Sequence, residues 1–180
     1  MAAAFQAISA STTDGFNTVD IGAMSATSLL AIMLLMFIGA SPGSTGGGIK
    51  TTTAGVICVS LWAEFRVKDG ELFRRRISDE TMRKATATML AALLVVLMDA
   101  LILTATESAS FLQVLFETVS ALGNTGLSMG ITANLSSLGK VLLSVTMFIG
   151  RVGPVVLAMA LVPKPAPARY QYAVAEVFIG

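Results

Sequence analysis

The chain has 180 residues, of which 54% are hydrophobic and only 13% charged, with a mean hydropathy of +0.79 and a formal net charge of +1. Soluble domains carry about 25% charged residues, so this is the composition of a membrane protein. A lone cysteine, Cys58, excludes an internal disulfide framework, and the lack of histidine removes the commonest metal ligand and proton-transfer side chain, so no enzyme is expected.

In chain order, residues 1–11 read as a short amphipathic helix, followed by a polar turn, Thr12-Thr13-Asp14-Gly15-Phe16-Asn17. Residues 23–63 follow as a long apolar stretch interrupted by FIGASPGSTGGGIKTTT at 37–53. As one helix at 1.5 Å per residue it would be about 60 Å long, twice the hydrocarbon thickness, so it must break or project. Pro42, Gly43 and the run Gly46-Gly47-Gly48 are where the break is expected. A phosphate-binding reading of GSTGGGIKT fails, because Ile49 stands between Gly48 and Lys50 where that motif needs Gly followed directly by Lys.

The connector 64–84 carries Arg66, Lys68, Arg74, Arg75, Arg76, Arg83 and Lys84, which by the positive-inside rule places it in the cytoplasm. Residues 85–106 then cross outward. Asp99 within this crossing is a candidate for Na+ or H+ coupling, with pairing to a polar neighbour in the bundle or a place near an end of the span as the alternative. A second short helix is expected at 110–121, where Glu117 packs polar atoms behind a second turn at 122–128. An inner helix at 137–162 and a tail at 163–180 complete the chain. Lys164 and Arg169 lie two crossings beyond the first basic cluster, so the tail is cytoplasmic too.

A shift of 111 residues aligns three blocks without a gap. Phe5–Ala10 falls on Phe116–Ala121, Gly15-Phe16 on Gly126-Leu127, and Met36–Gly39 on Met147–Gly150. Between equivalent points lie one inward and one outward crossing, so the two units are parallel repeats. Their short helices have both ends on the outer side and so are re-entrant, a geometry tolerated only in protein or beside a watery cavity. A helix carboxyl end aimed into the membrane favours a cation, and glycine in the following turn lets carbonyls face inward to replace an ion's hydration shell. The alternative is that Gly15 and Gly126 merely terminate helices.

The stretches TTDGFNTVDIG at 12–22, FIGASPGSTGGGIKTTT at 37–53, SALGNTGLSMGIT at 120–132 and GRVGP at 150–154 together resemble the Trk/Ktr/HKT superfamily of potassium transporters, most closely the bacterial Ktr-type membrane subunit. The resemblance implies an all-α integral membrane fold of membrane-helix/pore-helix/membrane-helix repeats. This chain looks like the third repeat without its outer helix (1–63), the connector, the complete fourth repeat (85–162) and the tail. It implies selectivity-filter roles for Thr12, Thr13, Asp14, Gly15 and Phe16 and for Gly123, Asn124, Thr125, Gly126 and Leu127. Potassium, the transported ion, would sit at Thr13–Gly15 and Asn124–Gly126, with no other cofactor. Asn124 stands where the family commonly has Thr, and Thr125 where it often has Val, departures that bear on the preference for K+ over Na+.

In the repeat register Ala40, at the start of the glycine loop, matches Arg151. An intramembrane arginine needs a partner, and loop carbonyls or the Ser41, Ser44 and Thr45 hydroxyls are candidates. A gate of Gly43, Ser44, Thr45, Gly46, Gly47, Gly48 and Arg151 is the resulting expectation, against a strut with glycines for tight packing. The resemblance further implies a bacterial cell membrane location, a homodimer of the complete subunit, a cytosolic ring of nucleotide-binding regulatory subunits and no nucleic acid. A non-conducting fragment, or a solute carrier binding an anion at the loop amides, are the alternatives.

Overall fold

The computed structural model describes residues 1–66, 71–72 and 75–153, and within these the chain is built from six α-helices. They are α1 (Ala2–Thr12), α2 (Ala26–Phe37), α3 (Thr51–Arg66), α4 (Asp79–Thr106), α5 (Phe111–Gly123) and α6 (Ser137–Val152). The last stretch of the expected inner helix, 154–162, and the tail 163–180, with Pro154, Lys164 and Arg169, lie outside the described residues, as do Lys68 and Arg74.

Serine side chains start four of these helices. Ser25, Ser78, Ser110 and Ser136 each accept a hydrogen bond from the amide three residues on, satisfying a donor the helix itself leaves open. At α5 the device is a full capping box, with Gln113 returning to the Ser110 amide. The cap at Ser78 explains why α4 begins at Asp79, about two turns before the apolar residues do. Asp79 and Glu80 suit the positive end of the helix, and Glu80 pairs with Lys84 one turn on.

The connector adds one small feature to this helical fold. Glu71–Leu72 and Arg75–Arg76 pair as a minimal antiparallel ribbon, Glu71 opposite Arg76 and Leu72 opposite Arg75. Backbone donors and acceptors in a connector satisfy one another when no helix takes them up.

The core forms around α5, nine of whose thirteen residues are buried. On one side Leu29, Met33, Met36 and Phe37 of α2 and Ala92 and Val96 of α4 pack with Phe116, Val119 and Leu122 of α5. On another, Ala100 and Leu103 of α4 and Leu143 of α6 pack with Val114 and Ala121. By contrast α1 buries only Gln6, Ser9 and Ala10. The 28-residue α4 is long and apolar enough to cross a membrane, and it leaves Leu90, Leu94, Leu97, Met98 and Leu101 exposed as an apolar stripe.

The 111-residue shift holds in the backbone. Besides the short helices, 3-10 turns at Ile21–Ala23 and Thr132–Asn134 and the serine caps Ser25 and Ser136 stand in the same register. The units part company after Phe37, where α2 stops while α6 continues to Val152.

Candidate functional site

The two short helices end in one way. Thr13 and Asn124 both take the left-handed conformation, at φ 60° and φ 52°. At α1 the amides of Thr13 and Asp14 return to the carbonyls of Ala10 and Ser9, and at α5 those of Asn124 and Thr125 return to Ala121 and Ser120. Helix termination therefore falls to Thr13 and Asn124 and not to Gly15 and Gly126, which lie two residues further on. Asn tolerates this backbone, whereas a β-branched Thr there stores strain.

Gly15, at φ 77°, explains its own identity. A Cβ on it would fall onto the carbonyl oxygen of Thr125, because the two turns touch backbone to backbone. Gly126, at φ 87°, has no neighbour within 4 Å of such an atom. The carboxyl ends of α1 and α5 thus converge, each bearing roughly half a negative charge.

Residues around the two glycines differ in their freedom. Thr12 Oγ1 donates to the Ile8 carbonyl at 2.7 Å and lies 2.8 Å from an Asp14 carboxylate oxygen. The Phe16 carbonyl accepts a hydrogen bond from Ser9 Oγ at 2.6 Å, and its ring is exposed. Leu127 is buried in the apolar core, while Thr125 is buried with its hydroxyl unpartnered among the described residues. Asp14 is exposed and lines one open cavity with Ser44 and Thr45 of the glycine loop.

The loop begins earlier than Pro42 foretold. Helix α2 ends at Phe37 because Ile38 and Ile49 form a parallel bridge: the Gly39 amide donates to the Ile49 carbonyl at 2.8 Å and the Ile49 amide to that of Phe37 at 3.2 Å. The chain thus leaves the helix, folds back on itself and restarts at Thr51. Gly46 and Gly47 are buried against the two turns, Gly46 facing Thr13 and Gly47 facing Gly123 and Asn124. A Cβ at Gly47 would lie 2.7 Å from Asn124 Nδ2 and 2.9 Å from the Gly123 carbonyl oxygen. Gly43 stands off, exposed and without close neighbours.

Two cations hold the loop. Arg151 Nη1 on α6 donates to the Thr45 carbonyl, so among the candidate partners a backbone oxygen is chosen over the hydroxyls. Lys50 Nζ donates to the Gly46 carbonyl and lies 3.4 Å from that of Ser44. Lys50 is not among the expected site residues; its place two residues after the glycine run is the signal the sequence offers. One turn before Arg151, the Met147 carbonyl accepts from Asn124 Nδ2 at 2.8 Å and ties the second turn to α6.

Asp99 lies apart from this convergence. It is buried, and its carboxylate accepts a hydrogen bond from Thr146 on α6, so it has the polar neighbour that one of the two expectations required.

A family model described as TrkH, cation transport protein, matches residues 1–170. The chain is 42% identical over 177 residues to the Ktr system potassium uptake protein B of Bacillus subtilis, covering 98% of this chain and 39% of that protein. It is 43% identical over 170 residues to the Ktr system potassium uptake protein D of the same organism, covering 92% and 37%. The crystal structure of the potassium transporter TrkH from Vibrio parahaemolyticus superposes with a TM-score of 0.76 at 24% identity, over 88% of this chain and 36% of that one, a likeness of fold. The chain thus spans about two fifths of the length of these relatives.

Proposed function

The chain belongs to the TrkH family of cation transport proteins, and we propose that it supplies part of the ion path of a potassium uptake transporter, as its third repeat without the outer helix and its fourth. In this reading α1 and α5 are pore helices, and residues 12–16 and 123–127 are filter segments. Carbonyls around Thr13–Gly15 and Asn124–Gly126 stand in for water around potassium. The observation that carries it is the contact of Gly15 with the Thr125 carbonyl, which brings two equivalent glycine turns and two helix carboxyl ends to one place.

The glycine loop is the gate. With Gly46 and Gly47 pressed on the two turns, the loop obstructs the path, and Arg151 and Lys50 hold it there through adjacent carbonyls. A fixed positive charge also opposes a passing cation: at about 4 Å and an effective dielectric of about 20 the repulsion is about 4 kcal/mol. An anion site at the loop amides is disfavoured, because the amides of Gly39, Ser44, Gly46 and Ile49 are already bonded.

The exposed apolar stripe of α4 suits lipid, and the reading places the protein in the bacterial cell membrane with the connector 64–84 and the C-terminal tail in the cytoplasm. A homodimer of the complete subunit and a cytosolic regulatory ring belong to the same reading. The test is growth at low potassium of cells lacking their own uptake systems. The chain joined behind the preceding part of the Bacillus subtilis relative should restore growth, and the chain by itself should not. A joined protein that reaches the membrane and takes up no potassium overturns the reading.

A further inference from the structure

Glu117, on α5, is only 5% exposed. Its carboxylate accepts hydrogen bonds from Ser128 Oγ, from Thr132 Oγ1 at 2.9 Å and from the Met129 amide at 3.3 Å. All three donors lie in the stretch that directly follows the turn 123–127. Ser128 Oγ also lies 2.8 Å from Thr132 Oγ1 and accepts from the Gly130 amide at 2.9 Å, so the donors are themselves held in place. Lys140 borders the same cleft but donates to the Ala133 carbonyl at 3.0 Å, and Glu117 is satisfied by hydrogen bonds. A buried carboxylate is tolerated only where its oxygens are met in this way.

The first unit is an internal control. Gln6 occupies the equivalent position and is buried, yet neither atom of its amide has a hydrogen-bond partner among the described residues. The positions equivalent to Ser128 and Thr132 are Asn17 and Ile21. Asn17 donates to the Val19 carbonyl within its own loop, and the Ile21 side chain has no donor to offer. One backbone plan thus carries a carboxylate clamp in the second unit and lacks it in the first.

We propose that Glu117 is a positioning residue for cation selection. By tying residues 128–132 to α5 it fixes the far end of the second turn, whose near end the Asn124 cap holds, and so sets the spacing of the carbonyls between them. A turn free to contract coordinates a smaller ion as readily as a larger one, so the clamp favours potassium over sodium. This inference rests on the ion-path reading above.

The test uses the chain joined behind the preceding part of the Bacillus subtilis relative, with KM for potassium and for sodium measured separately. Glu117→Gln, which keeps the size and copies Gln6, should lower the preference for potassium about tenfold while the maximal rate is retained, a change on the scale of one charged hydrogen bond. Ser128→Ala with Thr132→Val removes the donors instead, should shift the ratio in the same direction, and decides the matter if Glu117→Gln fails to reach the membrane. An active parent with an unchanged ratio in the variants overturns this inference alone. A parent without potassium uptake overturns the ion-path reading and this inference with it.

Discussion

The two units share a backbone from the short helix to the start of the following one, yet their residues give that backbone different tasks. At equivalent positions Thr13 and Asn124 adopt the same left-handed cap, but only Asn does so at ease. Gly39 and Gly150 are both pressed by backbone, the first by the carbonyl of Gly47 and the second by that of Leu122. In the first unit this close approach lets the chain fold back into a loop. In the second it lets an unbroken α6 pass the end of α5 and deliver Arg151 to that same loop. A repeated plan thus becomes asymmetric by changing a few residues: one unit provides a glycine loop and the other the arginine that bonds it.

The largest effect that would sharpen this contrast is expected at the paired glycines. Gly15→Ala must displace the Thr125 carbonyl as well as accept a left-handed angle that costs about 1–2 kcal/mol. Gly126→Ala carries the angular strain alone. Potassium uptake by the joined transporter should fall about tenfold or more for Gly15→Ala and by a smaller factor for Gly126→Ala. Equal losses would show that the contact between the two turns has no role.

Next come the glycine loop and Arg151, which the proposed function makes the gate. Gly47→Ala pushes the loop off Asn124 and Gly123, and Arg151→Ala removes both the hydrogen bond to Thr45 and the positive charge. Each should raise potassium flux, Arg151→Ala by about tenfold or more given the repulsion removed. Flux unchanged in both, measured at equal protein in the membrane, would leave the loop a passive strut.

The smallest effect concerns strain. Thr13→Asn copies the second unit into the first and should stabilise the protein by about 1 kcal/mol, read as a rise of a few degrees in the thermal unfolding midpoint. A lower midpoint would mean that Thr13 gains more from its surroundings than its backbone loses.

Much of the architecture was legible without the fold, because the signals are local. A 111-residue register exposes the repeat, and a glycine run inside an apolar stretch too long for one helix demands a break. Where a signal is weak the reading slipped: Pro42 set the break too late, because the bridge between Ile38 and Ile49 pairs residues eleven apart that no local rule connects. Apolarity alone likewise started α4 at residue 85, and the cap at Ser78 moved it to Asp79.

The sequence by itself determined that this protein is a helical, membrane-type, repeated chain with two glycine turns and one glycine loop. Only the tertiary structure decided which distant residues meet. Gly15 meets Thr125 across 110 residues, Arg151 finds the Thr45 carbonyl across 106, and Thr146 reaches Asp99 across 47. Such contacts depend on how whole helices pack around α5, a sum of many small burial terms spread over the chain, and no single stretch of residues encodes them.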